Sequence, residues 1–104
     1  MRMVLTGAAI VCAAPAMAYD AERSEALKDE VAISAICQQR LDQHDLFDAK
    51  FAELAALEAD NPSPNADIEL WGFREGVLMG ASAVGQDAVS DDALTVACDD
   101  LRSR

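Results

Sequence analysis

Apolar residues recur at helical spacing along most of this chain. Between Ala21 and about Gln43 they fall at Leu27, Val31, Ile33, Cys37 and Leu41, with His44 continuing the same side, in a segment otherwise rich in Ala, Glu, Gln, Lys and Arg. Steps of three and four residues gather them on one broad face of a helix. Acidic residues crowd its first turns, where the helix dipole favours them, which sets the start near Asp20. A second amphipathic helix follows in DLFDAKFAELAALEAD, where Phe47, Phe51 and Leu54 step by four and three with Leu46 and Leu57 alongside. Neither Pro nor Gly lies between Gln38 and Leu46, so the pattern admits one continuous helix or two, the second capped by Asp45.

Asn61-Pro62-Ser63-Pro64-Asn65 is the clear break, because its prolines remove amide donors and push their predecessors out of helical geometry. A third helix is expected to follow, capped by Ser63 or Asn65. Its apolar residues fall on two sides: Ile68, Trp71, Leu78 and Met79 on one, Leu70, Phe73, Val77, Ala81 and Val84 on the other. A helix apolar around most of its circumference is expected at the centre of a bundle. A last helix begins at Ser90 with Asp91 and Asp92 in its first turn and Val89 placed to staple against Leu94. Leu94, Cys98 and Leu101 form its inward stripe, and Arg102 and Arg104 suit its C-terminal dipole. No alternating run of strand type occurs, so the expected fold is all-α, a small bundle of three to four helices.

The first eighteen residues carry a different pattern. Met1 to Ala18 has one Arg near its start, an apolar run from Thr6 to Ala14, Pro15, and then Ala16-Met17-Ala18, which is the layout of a secretory signal peptide. The run is shorter than the roughly twenty apolar residues that cross a bilayer. The expected organisation is therefore a leader at 1–18 and one helical domain at 19–104, periplasmic or secreted. Loss of the leader takes Cys12 with it and leaves Cys37 and Cys98. An even pair in an oxidising compartment is expected to form a disulfide, which closes a loop of about 60 residues and constrains the unfolded chain by roughly 4 kcal/mol. Two thiols without a companion His pair do not complete a zinc site, and no C-x-x-C is present for redox work.

Charge narrows the choice of partner. With 8 Lys and Arg against 19 Asp and Glu, net −11, the chain has no basic stripe for phosphates or for an anionic membrane surface. Nucleic acid is thus disfavoured, and no membrane insertion is expected once the leader is removed. Gly72, Gly76 and Gly80, spaced by four inside the third helix, each weaken it by about 1 kcal/mol relative to Ala. Such a row implies a smooth groove, either for close packing within the monomer or for a partner helix or a homodimer contact. Glu75 shares a side with Ile68, Trp71 and Leu78, and is either a partly buried carboxylate or a group at the core's edge. His44, the single histidine, builds neither a triad nor a metal site alone. The pairs Asp91-Asp92 and Asp99-Asp100 lack the ordered calcium loop. No catalytic residue, metal or cofactor is expected.

Cys37, the segment Trp71-Gly72-Phe73-Arg74-Glu75-Gly76, and Cys98 in a short closing helix together resemble the small exported two-cysteine helical proteins of the HdeA/HdeB acid-stress chaperone type. The likeness runs from about Cys37 to Leu101. It departs in having only Lys28 and Lys50 as lysines. The same glycine-rich aromatic helix is similar to that of the Rap1a/Tai-type immunity proteins. The first resemblance implies a periplasmic stress chaperone for unfolded clients; the second implies an immunity protein or inhibitor with one protein partner. Both imply binding rather than catalysis, and carry over only the two cysteines and the Trp71–Gly76 segment; the surface expected to meet a client or partner is Trp71, Phe73, Leu78 and Met79.

Overall fold

Asp20 starts the first helix by accepting a hydrogen bond from the Arg23 amide at 2.9 Å, as the acidic first turns predicted. In this computed structural model, which describes residues 19–104, the helices are α1 (Ala21–Leu41), α2 (His44–Glu58), α3 (Ala66–Ala83) and α4 (Asp91–Arg102). The fold is all-α, with no strand among the described residues. The expected leader at 1–18 lies outside them.

The junction left open by the sequence is a break. Asp42 takes a left-handed conformation, φ 59°, and its amide bonds Gln38 O at 3.1 Å while the Gln43 amide reaches back to Cys37 O at 3.3 Å. This pair of bonds satisfies the last carbonyls of α1, and Asp is one of the few residues that tolerates the required backbone. Gln43, rather than Asp45, occupies the N-cap of α2 and contributes no side-chain bond. Asp45 instead lies in the first turn and binds Arg102 of α4 at 2.7 Å. Similarly, Asn65 caps α3 without a side-chain bond, while the Ser63 hydroxyl accepts from the Asn65 amide at 3.3 Å. Ser90 caps α4 as expected, accepting from Ala93 N.

The sequence placed α3 at the centre; α1 is there instead. It packs on α2, α3 and α4. Leu27, Val31 and Ala35 of α1 meet Phe47 and Leu54 of α2 and Ala81 of α3 in one core cluster, with Phe73, Val77 and Leu78 packed at its margin. Cys37, Leu46, Leu94, Cys98 and Leu101 form a second, with Val89 against it. The disulfide joins Cys37 to Cys98, with their Cα atoms 6.1 Å apart, and so fastens α4 to the late part of α1. Arg40 reinforces that attachment by donating to Val89 O at 2.7 Å and Asp91 Oδ1 at 2.6 Å.

A central position needs neighbours on every side, and the apolar circumference of α3 does not find them. Only Ala66 and Ala81 of α3 are buried. Because α4 is held on α1 by the disulfide, the side of α3 turned away from α1 and α2 stays open.

Candidate functional site

The outer side of α3 is the most exposed apolar surface among the described residues. Ile68, Trp71 and Met79 stand 72%, 65% and 73% exposed. With a turn every 3.6 residues, Ile68, Trp71, Gly72, Glu75, Gly76, Met79 and Ala83 share one face. Core residues Phe73, Val77 and Leu70 lie opposite, packed against α1 and α2. From Ile68 to Met79 the face runs about 16 Å at 1.5 Å per residue.

Of the four residues expected from the sequence as a client or partner surface, Trp71 and Met79 are exposed on this face and two are not. Phe73 and Leu78 are partly buried and packed on the core, because they project toward α1 and α2 rather than outward. Ile68 takes their place on the open face. The glycine row is corrected as well: apart from the helix's own neighbouring backbone, no atom lies within 4 Å of where a Cβ would stand at Gly72, Gly76 or Gly80. Close packing within the monomer is therefore not what these glycines serve. They leave a flat track beside Ile68 and Met79.

Glu75 is half-exposed on this face, one turn from both Trp71 and Met79, and accepts from Arg74 Nη1 at 3.0 Å. The Arg74 guanidinium also lies over the rings of Phe47 and Phe51, at 5.6 and 5.7 Å from their centroids, which clamps α3 onto α2. On the other margin Lys28 stands 5.9 Å from the Phe73 ring. Both cations thus lie against rings at the margins of α3, each about one-third exposed. His44, expected beside Cys37 on one helical side, instead begins α2, stands exposed and meets Asp42 Oδ1 at 2.6 Å. It approaches neither Glu75 nor the α3 face closely enough to hydrogen-bond any group there.

Two buried polar clusters join α1 to α2. Lys50 and Glu30 form an ion pair at 2.9 Å with side chains only 4% and 8% exposed; Glu53 joins at 3.4 Å, and Lys50 also donates to Arg104 O at 3.3 Å. Glu58 accepts from the Ser24 hydroxyl at 2.6 Å, from the Tyr19 hydroxyl, and from Asn61 Nδ2 at 2.9 Å. Burial pushes Glu58 up, but the bonds from Ser24, Tyr19 and Asn61 outweigh it and leave its pKa below the ordinary carboxylate value. Asp45 is lowered too, by the hydrogen bond from Arg102.

The sequence reading passed over both clusters, although a signal for them was present. Leu46, Lys50, Leu54 and Glu58 follow one another at four-residue steps, so two charged residues occupy a row whose other members are core leucines. Ser24, Leu27, Val31 and Ser34 on α1 do the same with hydroxyls. Polar side chains in an apolar row are a prompt to look for their partners across the interface.

Among the described residues there is no enclosed pocket and no group of three or more side chains suited to a metal. No helix among them is long and apolar enough to cross a membrane. No protein-family model, curated protein or solved structure matches this chain.

Proposed function

We propose that this chain is an exported, non-catalytic binding protein that uses the outer face of α3 to hold one dedicated protein partner, in the manner of an immunity protein or inhibitor. The observation that carries the reading is the exposure of Ile68, Trp71 and Met79 on one face of a helix that is itself clamped by Arg74 and the core. Large apolar residues aligned on one exposed face are characteristic of interaction surfaces. The surface exists in the folded state, so binding requires no unfolding, and a preformed surface favours a dedicated partner over a range of clients. Export is supported by the pattern of Met1–Ala18 and by the disulfide, which persists in oxidising compartments. The test is affinity capture at neutral pH with the whole mature chain. One stoichiometric partner is expected, lost when Ile68→Asp and Met79→Asp are introduced while the circular dichroism spectrum and melting are retained. Capture that survives both substitutions, or none at all, overturns the reading.

A second reading, an acid-activated holdase, is favoured by Glu58 and Asp45. Both have pKa values lowered in the folded chain, so each contributes stability that is present above its unfolded pKa and lost as pH falls through the folded one. Glu58 fastens Tyr19 and α1 to the end of α2, and Asp45 fastens α4 to its start. Protonation below the ordinary carboxylate range would loosen both ends while the disulfide limits expansion. A light-scattering assay with an acid-labile client at pH of about 2 to 4 decides it. Protection that appears as the intrinsic tertiary signal is lost, at a pH raised by Asp45→Asn, supports the holdase; a rigid chain without protection removes it.

A further inference from the structure

We infer that the occupant of the α3 face is a cationic amphipathic helix: an apolar stripe that lies along Ile68, Trp71 and Met79, flanked by Lys or Arg. The inference rests on the reading that this face binds a protein and adds the chemistry of what it binds. The charges around α3 are sorted by side. Lys28 and Arg74, the cations that touch it, are turned inward over the rings of Phe73, Phe47 and Phe51. Its outward groups are carboxylates. Glu69 is exposed at one edge of the face, Glu75 is half-exposed within it, one turn from both Trp71 and Met79, and shared with Arg74, and Asp67 is exposed in the first turn.

Shape agrees with a helix as the occupant. Gly72 and Gly76 lie on the open face and Gly80 at its border, with no side chain over them. A helix laid on that track approaches backbone to backbone, with its apolar residues between Ile68, Trp71 and Met79. A second copy of this chain is the poorer occupant. It would bring another 19 carboxylates against 8 basic residues, and the same Glu69 and Glu75, to a surface whose nearest cation, Arg74, is already shared with Glu75. Like charges across an interface disfavour association, whereas opposite ones hasten encounter and fix register.

The chain has a single tryptophan, and it stands on this face, so Trp71 emission reads the site directly. The probes are two synthetic peptides of about 14 residues, roughly four helical turns, with leucine at three- and four-residue steps and lysine elsewhere in one, glutamate in the other. The intact mature chain is expected to bind the lysine peptide with a blue shift of Trp71 emission, weakening at least tenfold as salt is raised. Glu69→Lys with Glu75→Lys, and separately Met79→Asp, should each weaken binding at least tenfold with melting retained. Equal binding of the glutamate peptide overturns the charge assignment while leaving the face as a binding site. Binding of the lysine peptide without a Trp71 shift, or unaltered by Met79→Asp, overturns it as electrostatic adhesion elsewhere. A concentration-dependent blue shift of the chain alone, with a dimer in sedimentation, overturns it in favour of a second copy. Binding of neither peptide overturns it outright, and the capture experiment with Ile68→Asp and Met79→Asp then judges the parent reading separately.

Discussion

Helices α3 and α4 both rest on α1, yet they use their apolar residues in opposite ways. In α4 the large apolar residues are few and concentrated: Leu94, Cys98 and Leu101 fall on one stripe and all three are buried, and Val96 alone stands outside it, exposed. In α3 they are many and spread over both sides, and burial reaches only Ala66 and Ala81. The contrast lies in attachment. A covalent bond and the Arg40 side chain hold α4 against the end of α1, so its whole stripe is covered. By contrast, α3 is held on one side only, by core packing and by Arg74 over two phenylalanines. Apolar content alone does not set burial; the number of neighbouring surfaces does. The half of α3 that the domain does not need is the half that carries the candidate site.

The largest expected effect comes from releasing α4. Replacing Cys37 and Cys98 together by Ala removes a tie across 61 residues, which on chain entropy contributes about 4 kcal/mol. For a domain whose stability is of order 5 to 10 kcal/mol, this leaves a marginally folded chain. Urea denaturation of the double variant, against the wild type with and without reductant, measures it. A loss below about 1 kcal/mol would mean that α4 is held by packing after all, and that the attachments of α3 and α4 are alike.

A smaller loss is expected from the buried ion pair that fixes α1 to α2. Lys50→Met leaves the buried Glu30 without its close partner, with half-exposed Arg23 at 3.9 Å as its nearest remaining ion pair. Breaking such a pair from one side costs about 3 kcal/mol, and removing both charges by adding Glu30→Met should recover most of that. Thermal melts of the two variants and their double-substitution cycle measure the coupling. If Lys50→Met alone is neutral, the sealed side of the domain does not depend on its charges.

How far these two sides were legible from sequence follows from the same physics. The cap at Asp20, the cap at Ser90, the stripe Leu94-Cys98-Leu101 and the disulfide all follow from local rules about donors, dipoles and paired thiols. The break at Asp42 did not, since a left-handed stop there looks for Gly, and an aspartate can take its place silently. The position of α3 was misjudged because periodicity reports which sides of a helix are apolar but not how many neighbours come to cover them. Trp71 and Met79 stand on the open surface and Phe73 and Leu78 do not, because the direction of the inward face depends on where α1 and α2 lie. Lys50 and Glu58 were overlooked because they read as solvated charges until the leucines at four-residue steps around them are taken as a core row.

The smallest effect has the opposite sign. Glycine within a helix is less favourable than alanine by about 0.5 to 1 kcal/mol, and a methyl group at Gly72, Gly76 or Gly80 would meet no neighbouring atom within 4 Å. Each Gly→Ala substitution is therefore expected to stabilise the domain by that amount, with no opposing strain. Were the row packed against another helix of the same chain, the same methyl groups would overfill a contact and destabilise it. Chemical denaturation of the three single variants separates the two cases by sign alone. Partner capture at equal concentration supplies the other half: in the Gly72→Ala and Gly76→Ala chains binding should weaken even as stability rises, because the methyl groups stand in the track that the partner's backbone would follow. Greater stability with weaker binding is the signature of a glycine row kept for an intermolecular contact, and it separates α3 from α4, where every loss of fit should lower stability.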